Sequence, residues 1–496
     1  MSGNLSNRRH EIMTVRECQL RRNILAADGG RAYIDARLWR APNETDISWR
    51  GDPQSGVVGR KERTALVNDA GRISNKINQY IFKKSIVRDG INEAFRQDCT
   101  GDGESLDRFM ERVNTAITTC GWCWLQADRA ALAEGGETLA NRAPIRWILW
   151  HATDVPDWCL DATGQIKWLI TRSSIYLNDD PAAKAQSAQL FTLYHLKDGV
   201  VHVTETTDRL INGLNLRQDV EIPGLNRIPF CLVGKPSAAA WWFDDVENIQ
   251  AQILNLDSMH NETLMENVYP QLVLPSSVAN DLQLKLTEIG INGQKVVALI
   301  REATIGRRIP ILESAEDKGI SRFIAPSGDL KMLIEEGSRK RALLFDIAGL
   351  ALFNKETRQI QTAESKQFDQ LDTNSTLANR AQVLKDAEMR MVEMCRVFDA
   401  AFPQWEAQYP ESFDVVDLAA LSKSLMEMSN MPEKTAKVKK LMAKVALRIL
   451  KETAQGYISD EEIEEAMREI DETDFSEKPL PNPFDQLKNP PEDGDD

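Results

Sequence analysis

The sequence lacks the segments that place a protein in a membrane or send it out of the cell. No stretch approaches the roughly twenty consecutive apolar residues of a membrane-spanning helix. The longest apolar run, Ala342 to Phe353, is too short and contains Asp346. The first residues have no apolar core of the secretory type, so we expect no secretion signal. These absences predict a protein that has no membrane partner.

Cysteine and histidine are scarce. The seven cysteines are scattered and odd in number, which predicts free thiols in a reducing compartment. Cys120 and Cys123 have the spacing of a redox pair, but the residues after them predict a strand, not the helix N-terminus that activates a thiol. No second ligand pair follows at zinc spacing. We therefore predict that both cysteines pack on or beside a strand, with no metal bound.

The motifs of common enzymes are also missing. The sequence contains no phosphate-binding G-x-x-x-x-G-K-[ST] loop, no dinucleotide G-x-G-x-x-G element and no G-x-S-x-G elbow. The five histidines lie far apart in sequence, and His195 and His202 are expected only to flank a hairpin. The sequence therefore predicts no catalytic residues and no cofactor.

Negative charge is concentrated at the end of the chain. The net charge is −15, and residues 459–496 carry fifteen acids against three bases, which is −12 of that total. The rest of the chain is nearly neutral. The last residues, 472–496, are rich in proline and acids and are predicted to be disordered. They either solubilise the protein or dock another component of its assembly through Phe484 and Leu487.

Two long helical segments are the most informative feature that is present. Leu330–Phe353 and Thr362–Phe402 are joined by the polar stretch Asn354–Gln361. The second segment could run about 60 Å at 1.5 Å per residue, whereas an ordinary helix has about a dozen residues. Such a rod suits a subunit that packs beside copies of itself. The turn-forming residues Asp372–Ser375 predict a kink or a break, and Pro403 ends the helix.

The other periodic segments give a coarse layout. Helices are predicted at Val67–Phe82, Ser105–Thr118, Asp244–Val268 and Leu418–Leu450, with a last one beginning at Ser459, and strands at Gly121–Val203. Asp244 and Glu247 are interpreted as a capping box. Met1 to about Trp49 is weakly periodic and is interpreted as an arm with one helix.

The order of these segments resembles that of tailed-phage portal proteins. The resemblance begins with the apolar helical segment Leu330–Phe353, the short polar loop Asn354–Gln361 and the T-A-E at residues 362–364 that opens the long helix. IPGLNRIPFCLVG, residues 222–234, resembles the family's strand with an N-x-I-P-F element. The family's stem helix is resembled by residues 244–275, DDVENIQAQILNLDSMHNETLMENVYPQLVLP. Its β-rich wing is resembled by residues 144–174, PIRWILWHATDVPDWCLDATGQIKWLITRSS. Together these segments cover most of residues 144–402.

The resemblance implies an α+β, mainly helical, portal-like elongated subunit with wing, stem, clip and crown, assembling as a ring. The implied divisions are an N-terminal arm and wing (1–243), a first stem helix (244–269), a clip (270–324), a second stem helix (325–350), a tunnel loop (351–361), a long wing helix (362–410), a helical crown (411–471) and an acidic tail (472–496).

The resemblance also implies a function without bond chemistry. A ring of usually twelve copies at one capsid vertex would pass double-stranded DNA during packaging and ejection. Its implied partners are the terminase, a head–tail adaptor, the major capsid or scaffold protein and DNA bound without sequence specificity. The protein would be made in the bacterial host cytoplasm and reside in the virion.

Two sets of residues are candidates for contacting DNA. By the resemblance, Asn354, Lys355, Arg358 and Gln359 lie on the tunnel loop that faces the channel, where a ring would turn two cations per subunit into a positive belt. A secondary basic cluster, Arg339, Lys340 and Arg341, precedes them on the stem helix. For that cluster we favour an ordinary amphipathic face, because stem helices also need ion pairs.

Two alternatives remain at the level of sequence. One is a different phage structural protein of the capsid or tail, against which the order stem, clip, stem argues. The other is a metal-dependent enzyme that acts on nucleic acid, although no cluster of Asp and Glu stands out as a metal site.

Overall fold

The computed structural model describes residues 5–42, 44–52, 57–83, 85–129, 144–177, 186–209, 211, 216–222, 225–268, 271–275, 311–313, 322–324, 330–350, 363–410, 413, 440–441, 443–444, 447 and 465–470. The chain divides into two compact units, Met1–Phe413 and Asp414–Asp496. The described residues of the second unit are helical. The elements named below all belong to the first unit.

Ten α-helices are described in the first unit. They are α1 (Glu11–Asp28), α2 (Gly30–Arg37), α3 (Asp46–Arg50), α4 (Arg60–Arg63), α5 (Asp69–Ile81), α6 (Glu93–Gln97), α7 (Leu106–Cys120), α8 (Trp242–Val268), α9 (Leu330–Ile347) and α10 (Ala363–Phe398). Short 3-10 helices lie at Leu5–Asn7 and Ala152–Asp154. None of the described helices is both long and apolar enough to cross a membrane.

The strands form five small sheets. They are β1 (Gly51–Asp52), β2 (Val57–Val58), β3 (Val87–Asp89), β4 (Trp122–Arg129), β5 (Ile145–His151), β6 (Asp157–Leu160), β7 (Ile166–Tyr176), β8 (Ser187–Lys197), β9 (Val200–Thr207), β10 (Val220–Ile222), β11 (Phe230–Gly234), β12 (Gln271–Pro275), β13 (Ile311–Glu313), β14 (Arg322–Ile324) and β15 (Glu406–Gln408). The strand orders are β10-β9-β8-β7-β6, β11-β4-β5, β13-β12-β14, β15-β3 and β1-β2. The fold is therefore mixed helix and sheet, as predicted.

Aromatic side chains hold the main core together. Trp147 of β5 lies 5.3 Å from Phe95 of α6 and 6.2 Å from Trp405, measured between ring centroids. All three are buried, and they join the sheet β11-β4-β5 to α7 and α10. Large aromatic rings dominate the energetics of such a core because each buries a large apolar area.

The predicted hairpin and the predicted packing of the two cysteines on or beside a strand are confirmed. His195 and His202 are paired residues of β8 and β9, with their rings 5.4 Å apart, and Asp198 and Gly199 form the turn. Cys120 ends α7 and Cys123 lies in β4, and both are buried. Burial raises the pKa of the Cys120 thiol to about 12, so the thiol is protonated at neutral pH.

The interpretation of the first 49 residues as an arm with one helix is wrong. Two helices, α1 and α2, occupy most of this stretch, and Met13, Leu20 and Tyr33 are fully buried. The polar composition of this stretch suggested an exposed arm, but part of the inward face of α1 consists of polar residues that make buried contacts. The stretch is part of the core of the first unit.

The expected break at Asp372–Ser375 is also wrong. Helix α10 runs without interruption through these residues for 36 residues in all. Thr373 is buried, and its hydroxyl donates a hydrogen bond of 2.7 Å to the carbonyl of Gly349 just after α9. The side chain that could compete with the helix is therefore engaged by a tertiary partner. The helix ends at Phe398, before Pro403.

Candidate functional site

Helices α8 and α9 form an adjacent pair, and three short strands are described between them in the sequence. In their small sheet, β12 pairs in parallel with β13 and antiparallel with β14. The described elements therefore follow the order helix, small sheet, helix, which is the order that the resemblance assigns to stem, clip and stem. We take this helix pair as the candidate functional site.

The start of α8 differs from the predicted capping box. The helix begins at Trp242, and the Asp244 carboxylate accepts a hydrogen bond of 2.8 Å from the backbone N–H of Trp241. Asp244 therefore reaches back to the cap from the first turn and is not itself the cap. Glu247 takes no part, because its carboxylate is buried among partners from other helices. The predicted roles of these two residues were wrong.

A buried ion pair attaches α8 to α1. The two guanidinium nitrogens Nη1 and Nη2 of Arg16 lie 2.5 and 3.0 Å from the Asp244 carboxylate oxygens. Asn23 donates a further bond of 2.8 Å to the same carboxylate. Burial alone would raise the pKa of Asp244, but the hydrogen bonds from Arg16, Asn23 and the Trp241 N–H outweigh it and hold that pKa below its usual value.

Glu247 forms a second anchor one turn later. Its carboxylate pairs with Arg37 at 2.7 Å and accepts hydrogen bonds from Gln19 at 3.2 Å and Tyr33 at 3.3 Å. Burial, together with the Glu247 charge, raises the pKa of Tyr33, so its hydroxyl remains a donor. The first turns of α8 are thus fixed to both α1 and α2.

Sequence reasoning missed these anchors. Arg16 and Asn23 are buried on the face of α1 that also carries Met13 and Leu20. In the sequence they weaken the apolar stripe, so the segment reads as exposed. Their spacing of seven residues was the available signal, because it places two polar groups on one helix face.

The secondary basic cluster on α9 is spread over separate intrachain partners. Arg339 pairs with Glu336 at 2.7 Å, one turn away on the exposed surface. Lys340 contacts Glu336 at 3.1 Å and also donates to Gln252 of α8. Arg341 pairs with Asp257 of α8 at 2.5 Å. Two of the three cations therefore hold α9 against α8, and each of the three has a carboxylate partner.

The helix pair exposes large apolar side chains. Met259 and Leu264 of α8 are 42% and 43% exposed, and Met332 and Ile334 of α9 are 61% and 54% exposed. The N-terminal half of α8, by contrast, buries Phe243, Val246 and Ile253. A helix pair anchored at one end and apolar on its outer surface at the other is a candidate surface for another protein.

The four candidate residues of the tunnel loop, Asn354, Lys355, Arg358 and Gln359, lie outside the described residues. So do most of the predicted clip and crown, including the start of the last helix at Ser459, and the acidic tail. Within the described part of the chain, no group of three or more His, Cys, Asp or Glu side chains could hold a metal ion.

Comparison with known proteins finds distant structural likeness. No family model and no curated protein matches the sequence. A chain from the neck of a native GTA particle, computed with C12 symmetry, has a TM-score of 0.33 and 10% identity, and covers 83% of this chain and 98% of its own length. The neck of an empty GTA particle, computed with C6 symmetry, gives 0.33 and 11%, covering 88% and 97%. The virion of a native gene transfer agent gives 0.33 and 10%, covering 85% and 98%. At this TM-score and identity, such likenesses assign neither a fold nor a function to the chain.

Proposed function

We propose that this chain is the repeating subunit of a phage portal ring, through which double-stranded DNA enters and leaves a capsid. The observation that carries the proposal is the helix pair α8 and α9 with its three-stranded sheet. It occurs at the place in the sequence where the resemblance requires stem, clip and stem.

The anchoring of α8 suits a subunit that must hold its shape in a ring. The buried pair Arg16–Asp244 and the partly buried pair Arg37–Glu247 fix the first turns of α8, and Arg341–Asp257 fixes α9 beside it. A buried ion pair sets geometry more than it adds stability, because desolvation offsets much of its attraction. A channel wall built from many copies depends on such a defined geometry.

The exposed apolar residues of the pair supply a surface for the neighbouring subunit. Repeated head-to-tail contacts generate a closed ring when the rotation between copies divides a full turn. Each neighbour would then cover the apolar side chains, including Ile334 and Leu264, that the single chain leaves in water. Permanent interfaces of this type are large and more apolar than transient ones.

DNA would be contacted through its phosphates. Lys355 and Arg358, repeated around the ring, would form the positive belt that lines the channel. The nearly neutral body fits this role, because a conduit that bound phosphates tightly would stop DNA from sliding. The segment 270–324 would dock the terminase and the head–tail adaptor, and the capsid or scaffold protein would hold the ring at its vertex.

The first test is the size and symmetry of the assembly. Negative-stain microscopy with light scattering on the purified protein should give rings with a central hole and a mass near twelve times 55.9 kDa. Assembly can depend on partners, so a small compact species should be re-examined with scaffold protein present. Failure in both conditions would contradict the ring.

The same preparation separates the two alternatives. A symmetric tube or shell without a central channel would favour another capsid or tail component. Cleavage of DNA that requires a divalent metal, and is lost when a single carboxylate is changed, would instead show a nucleic-acid-processing enzyme.

A further inference from the structure

A recess of about 430 Å³ opens on the first unit, next to the start of α8. It lies where α7 and β11 end, beside the residue before α8, and α10 forms its long wall. Ile117, Val383 and the indole of Trp241 give it apolar walls. Three cations, Lys235, Arg380 and Arg390, also line it. We refer to this site as the α10 recess.

Among the described residues, Arg380 has no acidic partner. Its guanidinium carbon lies 5.4 Å from the centre of the Trp241 ring, and within the described residues it makes no ion pair or hydrogen bond. Burial is the cause that lowers the pKa of Arg380 to about 10. The group is still charged at neutral pH, and its donors are free for an external acceptor.

Trp241 is fixed as the platform under that guanidinium. Its indole N–H donates a hydrogen bond of 2.8 Å to the carbonyl of Thr118. Its ring also covers Gly121, where a Cβ atom would approach the indole to 3.2 Å. The positive φ of 83° at Gly121 ends α7 and brings its backbone close to the ring. The aromatic wall of the recess is therefore formed before any ligand binds.

The remaining charges leave the recess positive. Arg390 donates only to backbone carbonyls, those of Leu232 at 3.1 Å and Asp386 at 3.2 Å. Lys235 is exposed and makes no ion pair with any described residue. The one carboxylate among the described lining residues, Asp386, accepts a hydrogen bond of 2.8 Å from Gln382. Three positive charges thus face one negative charge.

We propose that the α10 recess binds an acidic peptide segment of a partner protein. A carboxylate of that segment would pair with Arg380, whose planar donors match its two oxygens. A neighbouring apolar side chain would lie against Ile117 and Val383. The volume suits one or two side chains rather than a duplex. Asp386 also disfavours a dense run of phosphates. The inference does not depend on the function proposed above.

The test is binding of a labelled peptide to the full chain. A short fluorescein-labelled peptide of Asp, Glu and Phe is titrated with wild type, Arg380→Gln and Lys235→Gln, and anisotropy is recorded. Loss of a charged hydrogen bond should weaken binding about ten- to a hundredfold for Arg380→Gln. Lys235→Gln changes an exposed residue, so it preserves the fold and should weaken binding less.

Lys385→Gln is the matched control. Lys385 lies on the same helix but outside the recess, 3.9 Å from Glu406, so its replacement should leave peptide affinity unchanged. A peptide with Asn and Gln in place of Asp and Glu should bind no variant. Equal affinity of wild type, Arg380→Gln and Lys235→Gln would overturn the proposal. Preferential binding of labelled DNA, abolished in Arg380→Gln, would overturn it in favour of a phosphate site.

Discussion

At the scale of single residues, buried carboxylates position the elements of this protein. Glu388 of α10 is fully buried and pairs with Arg88 of β3 at 2.6 Å. Trp405 donates a hydrogen bond of 2.8 Å to one oxygen of its carboxylate, and Tyr409 donates one of 2.8 Å to the other. Every partner is satisfied, which is the condition under which a buried charge is tolerated. The position of α10 against the sheet β15-β3 is therefore set by a polar network as well as by apolar packing.

The carboxylate of Asp244 predicts a dependence of stability on pH. Its pKa in the folded chain is held below the ordinary 3.8, so its contribution is fully present above pH 3.8. That contribution is lost as pH falls through the lower folded-state value. Asp244→Asn should destabilise the protein by about 3–5 kcal/mol at pH 7, because the charge of Arg16 stays buried without a counter-ion.

Urea unfolding from pH 7 down to pH 2 measures the effect. The difference in free energy of unfolding between wild type and Asp244→Asn should shrink as the pH drops below about 4. Asp245→Asn changes the next, exposed acid of the same turn and should cost at most about 1 kcal/mol, the usual value for a charge near a helix end. A difference that is constant with pH, or equal destabilisation of the two variants, would contradict the role of Asp244.

At the scale of elements, the sequence predicts best where a long apolar stripe coincides with clear helix ends. Helices α5 and α7, Asp69–Ile81 and Leu106–Cys120, begin and end within two residues of the prediction. On α10, Leu377, Leu384 and Met391 are buried at helical spacing. These features are local, since period and capping are decided within a few turns.

What the sequence did not predict depends on partners distant in the chain. The continuity of α10 through Thr373 depends on a carbonyl 24 residues away. The packing of α1 depends on Asp244, which lies 228 residues from Arg16. No local pattern contains such a partner, so a buried polar residue reads as an exposed one. The candidate site followed the same rule: the order of helices was predictable, and their anchors were not.

The helix pair gives a prediction about assembly. Ile334→Asp places a charge on the exposed face of α9 that the proposed ring would bury. Burying an isoleucine side chain is worth about 1.5–3 kcal/mol, and a buried unpaired charge would cost more. The variant should remain monomeric at concentrations where wild type forms rings, as seen by light scattering.

Glu335→Ala is the control on the same helix. Within the described residues, Glu335 pairs with Lys331 one turn away, at 3.4 Å, and an exposed pair of this type is worth about a few tenths of a kcal/mol. The Glu335→Ala variant should assemble like wild type. The thermal unfolding of Ile334→Asp, measured as a monomer, should shift little because the site is exposed. Rings of wild-type mass in Ile334→Asp would exclude this face from the subunit interface.

At the scale of the whole molecule, the distribution of charge is the property that matters for a DNA conduit. Residues 459–496 carry −12 of the net charge of −15, so the remainder of the chain should neither attract nor repel a duplex strongly. The paired cations of α9 add little free positive charge. The proposed ring would contact DNA mainly where cations repeat around its axis, and the sequence has Lys355 and Arg358 between the two long helical segments.

Changing both of these residues to alanine therefore separates DNA binding from assembly. The Lys355→Ala, Arg358→Ala double variant should form rings of unchanged mass but package or retain less DNA. In a plot of the logarithm of duplex affinity against the logarithm of salt concentration, the slope should become shallower by about 0.9 for each phosphate that is no longer neutralised. Arg339→Ala removes a cation that is already paired with Glu336, so it should change neither the amount of packaged or retained DNA nor the slope of the salt plot. Normal packaging, retention and salt dependence in the double variant would show that DNA passes the ring without touching this belt.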